Sequence, residues 1–140
     1  MQGHIQKVQY EGYLADDAEL RYFASGNPVL NFRIGSTRKY NDREGKEVKE
    51  TTWMNCSITK GKWAEALAAM NPKLSKGSHV IVFGRLRVNE FGGPRVYQRK
   101  DGNWTGVIDL SVDDMKIYRL GGRTNGGQSN NLANEGDLPY

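Results

Sequence analysis

The sequence predicts an all-β domain with one helix: a small five-stranded Greek-key barrel with extended β-hairpins and a disordered C-terminal tail. Three observations predict this fold class. Short stretches of alternating apolar and polar residues recur along the first 120 residues. Seventeen glycines against four prolines favour tight turns and bent strands over long helices. A single stretch has helical spacing, and it lies between the third and fourth predicted strands.

The first two strands are predicted over residues 5–14 and 29–38. Residues 5–14 alternate briefly and contain a glycine, which is typical of a strand that bends. Residues 15–28 are predicted to form a connection that ends in a turn, because they close on the sequence SGNP. In the second strand the apolar face carries Leu30, Phe32 and Ile34.

The third strand, over residues 50–59, places a tryptophan on its polar face. A turn around Asp42 to Gly45 precedes it. Its apolar face carries Met54, Cys56 and Ile58. Counting by twos puts Trp53 on the other face. This position indicates that Trp53 is a surface residue available for binding.

The helix is predicted over residues 61–70, where Trp63, Leu67 and Met70 fall at i, i+4 and i+7. The pair Asn71-Pro72 ends it. Because Trp63 belongs to this apolar stripe, we expect it to pack the helix onto the barrel, unlike Trp53.

The fourth strand is predicted over residues 79–89, with a bulge or bend at Gly84. A hairpin follows, with one arm over 95–99 and the other over 104–111, the latter continuing to Tyr118. Five bent antiparallel strands with a helix between the third and fourth are typical of the OB-fold. An SH3-like barrel or a sandwich has a compatible strand order.

Charge and composition divide the chain into a body and a tail. Residues 1–120 carry 19 Lys and Arg against 14 Asp and Glu, which favours a polyanionic partner. Residues 121–134 are predicted to be a flexible linker rich in Gly and Asn, and residues 135–140 an acidic tip. No apolar run of membrane-spanning length and no signal peptide is present, so we expect a cytoplasmic protein without a membrane partner.

The sequence contains no pattern typical of an enzyme. Its two histidines, His4 and His79, are far apart, and His79 is best explained as a residue at the start of a strand. No zinc-ligand spacing, phosphate-binding loop or nucleophile motif occurs. The acidic pairs 16–17 and 113–114 are adjacent residues, which point to opposite faces of a strand. We therefore expect no catalytic residue, no metal and no cofactor.

Aromatic residues interleaved with cations predict binding to single-stranded nucleic acid, which needs flat apolar surfaces for bases and positive charge for phosphates. The predicted stacking residues are Tyr40, Trp53, Phe91, Tyr97 and Trp104. The cations predicted to contact phosphates beside them include Arg33, Lys39, Arg43, Lys49 and Arg87. Because stacking is insensitive to base identity, such binding should have little sequence preference.

Three stretches resemble the bacterial single-stranded DNA-binding proteins over residues 5–118: LRYFASGNPVLNFRIGSTRKYND, KETTWMNCSITKGKWAE and LSKGSHVIVFGRLRV. The terminal GDLPY resembles the family's acidic, aromatic-ended tip. The resemblance implies an OB-fold that assembles as a homotetramer, or a dimer, and protects single-stranded DNA during replication, recombination and repair, close to the nucleoid. It implies stacking by Tyr40, Trp53 and Phe91, and phosphate contacts by Arg43, Lys62 and Lys76. It also implies recruitment of DNA-metabolism proteins through Asp137, Leu138, Pro139 and Tyr140.

The sequence departs from the family pattern at several positions. Lys60 stands where a stacking phenylalanine is common, and we expect it to contact a phosphate instead. Glu90 stands where a cation is common. The basic segment 92–104 is longer than expected, and the short tail suits a phage or plasmid member. An RNA-binding or primosome-type OB-fold accessory protein is the alternative function, and a small nuclease is a third hypothesis that lacks clustered carboxylates.

Overall fold

A computed structural model describes residues 3–121. Within this range the chain forms seven strands and one helix. In chain order these are β1 Val8–Leu14, β2 Glu19–Tyr22, β3 Pro28–Asn41, β4 Glu47–Ile58, α1 Gly61–Ala68, β5 His79–Arg87, β6 Arg95–Gln98 and β7 Trp104–Arg119. The predicted acidic tip and all but the first residue of the predicted linker lie outside the described residues.

Five of the strands close into a barrel. They follow the order β1-β5-β7-β4-β3, and β3 returns to β1 through the pairs Tyr13↔Gly35 and Leu14↔Ile34. The β4–β7 pair is parallel, and the other pairs are antiparallel. The helix lies between the third and fourth barrel strands, so the predicted five-stranded OB-fold barrel is confirmed.

Two short strands add to this barrel, and one of them corrects the prediction. The segment 15–28 is not only a connection, because β2 within it pairs with β3 at the edge of the sheet. Only one of the four β2 residues is even partly buried, so its sequence carries no alternation that would reveal a strand. The other short strand, β6, is the predicted first arm of the hairpin and pairs with β7.

The predicted apolar faces form the core. Leu30, Ile34, Met54 and Ile58 have no solvent-exposed surface. Burial of each such side chain stabilises the fold by about 1.5–3 kcal/mol. Trp63 is half-buried and packs α1 against this core, as predicted from the helical stripe.

Two two-stranded ribbons project from the barrel. The β3–β4 arm, residues 36–52, is the continuation of β3 and β4 beyond the barrel, with pairs from Ser36↔Thr52 to Asn41↔Glu47. The β6–β7 arm, residues 95–107, is formed by β6 and the start of β7. The predicted extended hairpins are therefore present.

Along its length, strand β7 pairs first with β6 and then with β5. It pairs with β6 up to Val107 and with β5 from Asp109 onwards. The predicted irregularity at Gly84 is present as a register shift between β5 and β7. A Cβ at Gly84 would collide with the carbonyl oxygen of Ser111, so the two strands approach this closely only because residue 84 is glycine.

Candidate nucleic-acid interface

The register of β3 and β4 fixes which face carries Trp53. The pair Ile34↔Met54 points into the core, so the flanking pairs Arg33↔Asn55 and Gly35↔Trp53 point outward. Trp53 is 49% exposed. Its position on the outer face agrees with the face expected from period-2 counting.

The ring of Trp53 lies against the β3 backbone. A Cβ built on Gly35 would lie 2.7 Å from Cζ3 of Trp53, a distance that real Cβ atoms essentially never show. The guanidinium carbon of Arg33 lies 4.8 Å from the ring centroid, within cation–π distance. Neighbouring residues therefore fix the orientation of this ring while leaving half of its surface open to solvent.

A polar row crosses four strands beside Trp53. Arg33 of β3 pairs with Asn55 of β4, Asn55 with Asp109 of β7, and Asp109 with Arg87 of β5. An open groove of about 980 Å³ lies over this row. Its lining contains four cations, Arg33, Lys76, Arg87 and Arg95, and four carboxylates, Asp16, Asp17, Glu19 and Asp109.

Asp109 holds Arg95 in this groove. Its carboxylate accepts hydrogen bonds from Nε and Nη2 of Arg95 at 3.0 and 3.1 Å, and from Nδ2 of Asn55 at 3.4 Å. The bonds from Arg95 lower the pKa of Asp109, although partial burial opposes the shift. The carboxylate is therefore ionised at neutral pH. It fixes Arg95 at the position where β7 stops pairing with β6 and begins to pair with β5.

The two faces of the β6–β7 arm carry different aromatic residues. Arg95 and Tyr97 share the face of Asp109, so Tyr97 lies on the groove side and is 46% exposed. Trp104 lies on the opposite face with Val96 and is 67% exposed. The structure therefore brings Tyr97, and not Trp104, onto the surface that contains Trp53.

The β3–β4 arm separates aromatic residues in the same way. Tyr40 lies opposite Val48, two pairs beyond Arg38↔Glu50, and thus on the face opposite to Trp53. Tyr40 is 37% exposed. Phe91 lies in the loop between β5 and β6 and is 87% exposed. Its backbone N–H donates to Oδ1 of Asn89 at 2.8 Å, which fixes the loop rather than the ring.

The predicted cations occupy three regions. Arg33, Lys76 and Arg87 line the groove. The arm carries another three, of which Lys39 and Lys49 are on its outer face and Arg43 is in its turn.

The remaining two cations, Lys60 and Lys62, lie at the start of α1 and are not part of the groove lining. The ammonium of Lys60 donates to the carbonyl of Asp113 at 3.1 Å and lies 5.9 Å from the ring of Trp63. It therefore has contacts within the protein itself.

Sequence reasoning missed Arg95, Asn55 and Asp109 as parts of one site. Their sequence spacing contains no signal for this, since the parallel β4–β7 pairing that joins them is not local. Asn55 was recognisable as a polar-face residue from its alternation with Met54 and Cys56.

Within residues 3–121 no three His, Cys, Asp or Glu side chains are arranged to hold a metal ion. Over the same range the helix is too short and too polar to cross a membrane. The cysteine of β4, Cys56, is buried, and burial raises the pKa of its thiol to about 12. It therefore behaves as the small core residue that its position predicts.

Comparison with known proteins identifies the family. Residues 5–118 match the model of the single-strand binding protein family. The single-stranded DNA-binding protein of Paenarthrobacter aurescens is 36% identical over 130 residues, which cover 90% of this chain and 70% of that protein. The protein of the same name from Neisseria meningitidis serogroup A is 34% identical over 136 residues, covering 97% of this chain and 67% of the relative.

A solved structure agrees at the level of the fold. The Plasmodium falciparum SSB in complex with ssDNA superposes with a TM-score of 0.61 at 17% identity, covering 86% of this chain and 99% of that one. The sequence match and the barrel lead to the same assignment: this chain belongs to the single-strand binding protein family.

Proposed function

We propose that this protein binds single-stranded DNA without sequence preference and protects it during replication, recombination and repair. One observation carries the proposal: the exposed rings of Trp53 and Tyr97 lie on the same outer face as Arg33, Arg87 and Arg95, the three arginines of the groove lining. Unpaired bases can stack on the rings while phosphates lie beside the cations. The family consists of DNA-binding proteins without catalytic activity, which confirms the prediction that the chain is not an enzyme.

The division of aromatic residues between faces supports a path in two stages. A short strand would lie along the outer face, in contact with Trp53 and Tyr97. A longer strand would continue over the arms, where Tyr40 and Trp104 offer further stacking surfaces, with Phe91 in the loop between them and the barrel. Lys39, Arg43 and Lys49 would accompany it along the β3–β4 arm.

Assembly and recruitment extend the proposal beyond the groove. We expect a homotetramer, or a dimer, acting at the nucleoid in the cytoplasm. The tip residues 137–140 would bring DNA-metabolism proteins to the covered strand. Mass measurement in solution, with and without DNA, gives the number of subunits, and a truncation before residue 135 should keep DNA binding while losing any such protein partner.

Fluorescence titration tests the central proposal. Oligo-dT should quench tryptophan emission at low salt, and Trp53→Ala should remove most of the response. Trp63→Phe is the matched control, because it also removes an indole but one that is half-buried on α1. Unchanged emission and no retention of oligo-dT at low salt would refute DNA binding. Tighter binding of oligo-U than oligo-dT would instead favour the RNA-binding alternative.

A further inference from the structure

Three side chains of the β3–β4 arm contact one another on the face opposite to that of Trp53. Arg38 and Tyr40 are two residues apart on β3, so they point to the same side, and Glu50 lies directly across from Arg38 on β4. The guanidinium carbon of Arg38 is 4.6 Å from the centroid of the Tyr40 ring. One face of this predicted stacking residue is therefore covered by a flat cation.

Glu50 holds both partners. Its Oε1 forms an ion pair with Nη2 of Arg38 at 3.0 Å, and its Oε2 accepts a hydrogen bond from the Tyr40 hydroxyl at 3.3 Å. A base that stacked on this face of Tyr40 would need the space that the guanidinium occupies. Because both groups are flat and stack on the same ring face, they exclude each other.

We propose that Arg38 is a further phosphate contact, and that it closes Tyr40 in the free protein. When a base stacks on Tyr40, Arg38 leaves the ring and Glu50 and moves to a phosphate of the same strand. Glu50 thereby opposes binding at this ring. The inference depends on the proposed single-stranded DNA binding and adds a residue and a regulatory contact to it.

The exposure of the pair makes this exchange feasible. The side chains of Arg38 and Glu50 are 68% and 51% exposed, and exposed ion pairs contribute little to stability. A phosphate offers Arg38 a bidentate partner of at least equal charge. Breaking the ion pair between Arg38 and Glu50 therefore costs less free energy than a contact between Arg38 and a phosphate of the strand supplies.

Trp53 offers the contrast within the same two strands. Arg33 lies 4.8 Å from its ring, but in the described part of the chain no carboxylate is within ion-pair distance of Arg33. Arg33 can therefore move to a phosphate without breaking an ion pair. We infer that DNA occupies Trp53 before Tyr40.

Substitutions of Glu50 and Arg38 test the proposal by oligo-dT titration. Glu50→Gln should tighten binding by about two- to fivefold, the size expected for loss of an exposed ion pair. Glu44→Gln is the matched control, since it removes the same charge from the turn of the same arm, where no ion pair involves Glu44 in the described part of the chain. Glu50→Gln should therefore tighten binding more than Glu44→Gln does. This difference should disappear when each substitution is combined with Arg38→Gln.

The salt dependence of binding distinguishes a contact between Arg38 and a phosphate from a role in which Arg38 only supports the Tyr40 ring. Arg38→Gln should reduce the slope of log K against log salt by about 0.7, the value for one phosphate of a single strand. An unchanged slope, or equal effects of the two glutamate substitutions, would overturn the role of Arg38 and Glu50. Those outcomes leave the proposed function intact as long as Trp53→Ala still abolishes most of the fluorescence response.

Discussion

The six-membered ring of Trp53 rests on the backbone of Gly35 in the neighbouring strand, with only 2.7 Å between Cζ3 and the position that a Cβ on residue 35 would take. A side chain of any size at this position must move the indole. Gly35 therefore determines how Trp53 is presented on the outer face, although it contributes no atom to stacking itself.

Gly35→Ala should weaken oligo-dT binding by about tenfold, within the range of one lost stacking contact. The added methyl group displaces the ring but does not require an unusual backbone conformation, so the thermal midpoint should change little. Titration of the single and double variants checks this, because Gly35→Ala should have no effect when Trp53 is already alanine. Gly106→Ala is the control, since its Cβ would meet neighbours only at 3.8 Å or more.

Arg87→Gln should weaken binding and reduce the salt slope by about 0.7, because Arg87 lines the groove and would contact one phosphate. Lys62→Gln removes the same charge from α1, away from the groove lining, and should leave the slope unchanged for a short oligonucleotide. Binding isotherms at four or five salt concentrations give both slopes. Equal slopes for the two variants would show that the groove is not the path of the strand.

The length of the oligonucleotide should decide which aromatic residues matter. For a short oligo-dT, Tyr97→Ala should weaken binding by a factor of about five or more, and Trp104→Ala should not. For a long oligo-dT both substitutions should weaken binding, because the strand then reaches the far face of the β6–β7 arm. A Trp104 effect already present with the shortest binding oligonucleotide would contradict this assignment.

Asp109→Asn should change how stability depends on pH. The pKa of Asp109 is lowered in the folded state by the hydrogen bonds from Arg95, so its stabilising contribution is complete above its ordinary pKa of about 3.9 and disappears as pH falls through the lower folded value. Urea unfolding at pH 7 should show Asp109→Asn destabilised by about 1 kcal/mol, since Arg95 is half-exposed.

The difference between the wild-type protein and Asp109→Asn should shrink as the pH is lowered from 7 to 2.5, because the wild-type protein loses this contribution as its carboxylate takes up a proton. Other carboxylates titrate in both proteins, so the difference between them isolates Asp109. A difference that stays constant from pH 7 to pH 2.5 would mean that the ionised carboxylate contributes nothing.

Local patterns predicted the barrel strands well. The alternation of Leu30, Phe32 and Ile34 and that of Met54, Cys56 and Ile58 define buried faces, and each strand's face can be read from its own residues. The same counting placed Trp53 outward. The strand β2 was missed because its residues are almost all exposed, so neither burial nor alternation marked it.

Non-local pairing explains what local patterns could not predict. Trp53 and Tyr97 share a surface only because β7 first pairs with β6 and then runs parallel to β4. Asp109 joins Arg95 to Asn55 through that same pairing. The aromatic residues and cations of the sequence predict the chemistry of the site. Strand register decides that Tyr40 and Trp104 lie on one face, and Trp53 and Tyr97 on the other.

The β3–β4 arm is a ribbon only two strands wide; Tyr40 lies on one of its sides, and Trp53, one residue beyond the arm on β4, faces the other side. A polymer that used both rings of one subunit would have to cross the ribbon's edge and reverse direction, and flexible single strands do this far more readily than a stiff duplex. The arm would therefore discriminate against double-stranded DNA through bending stiffness alone, before any hydrogen bond to a base is made.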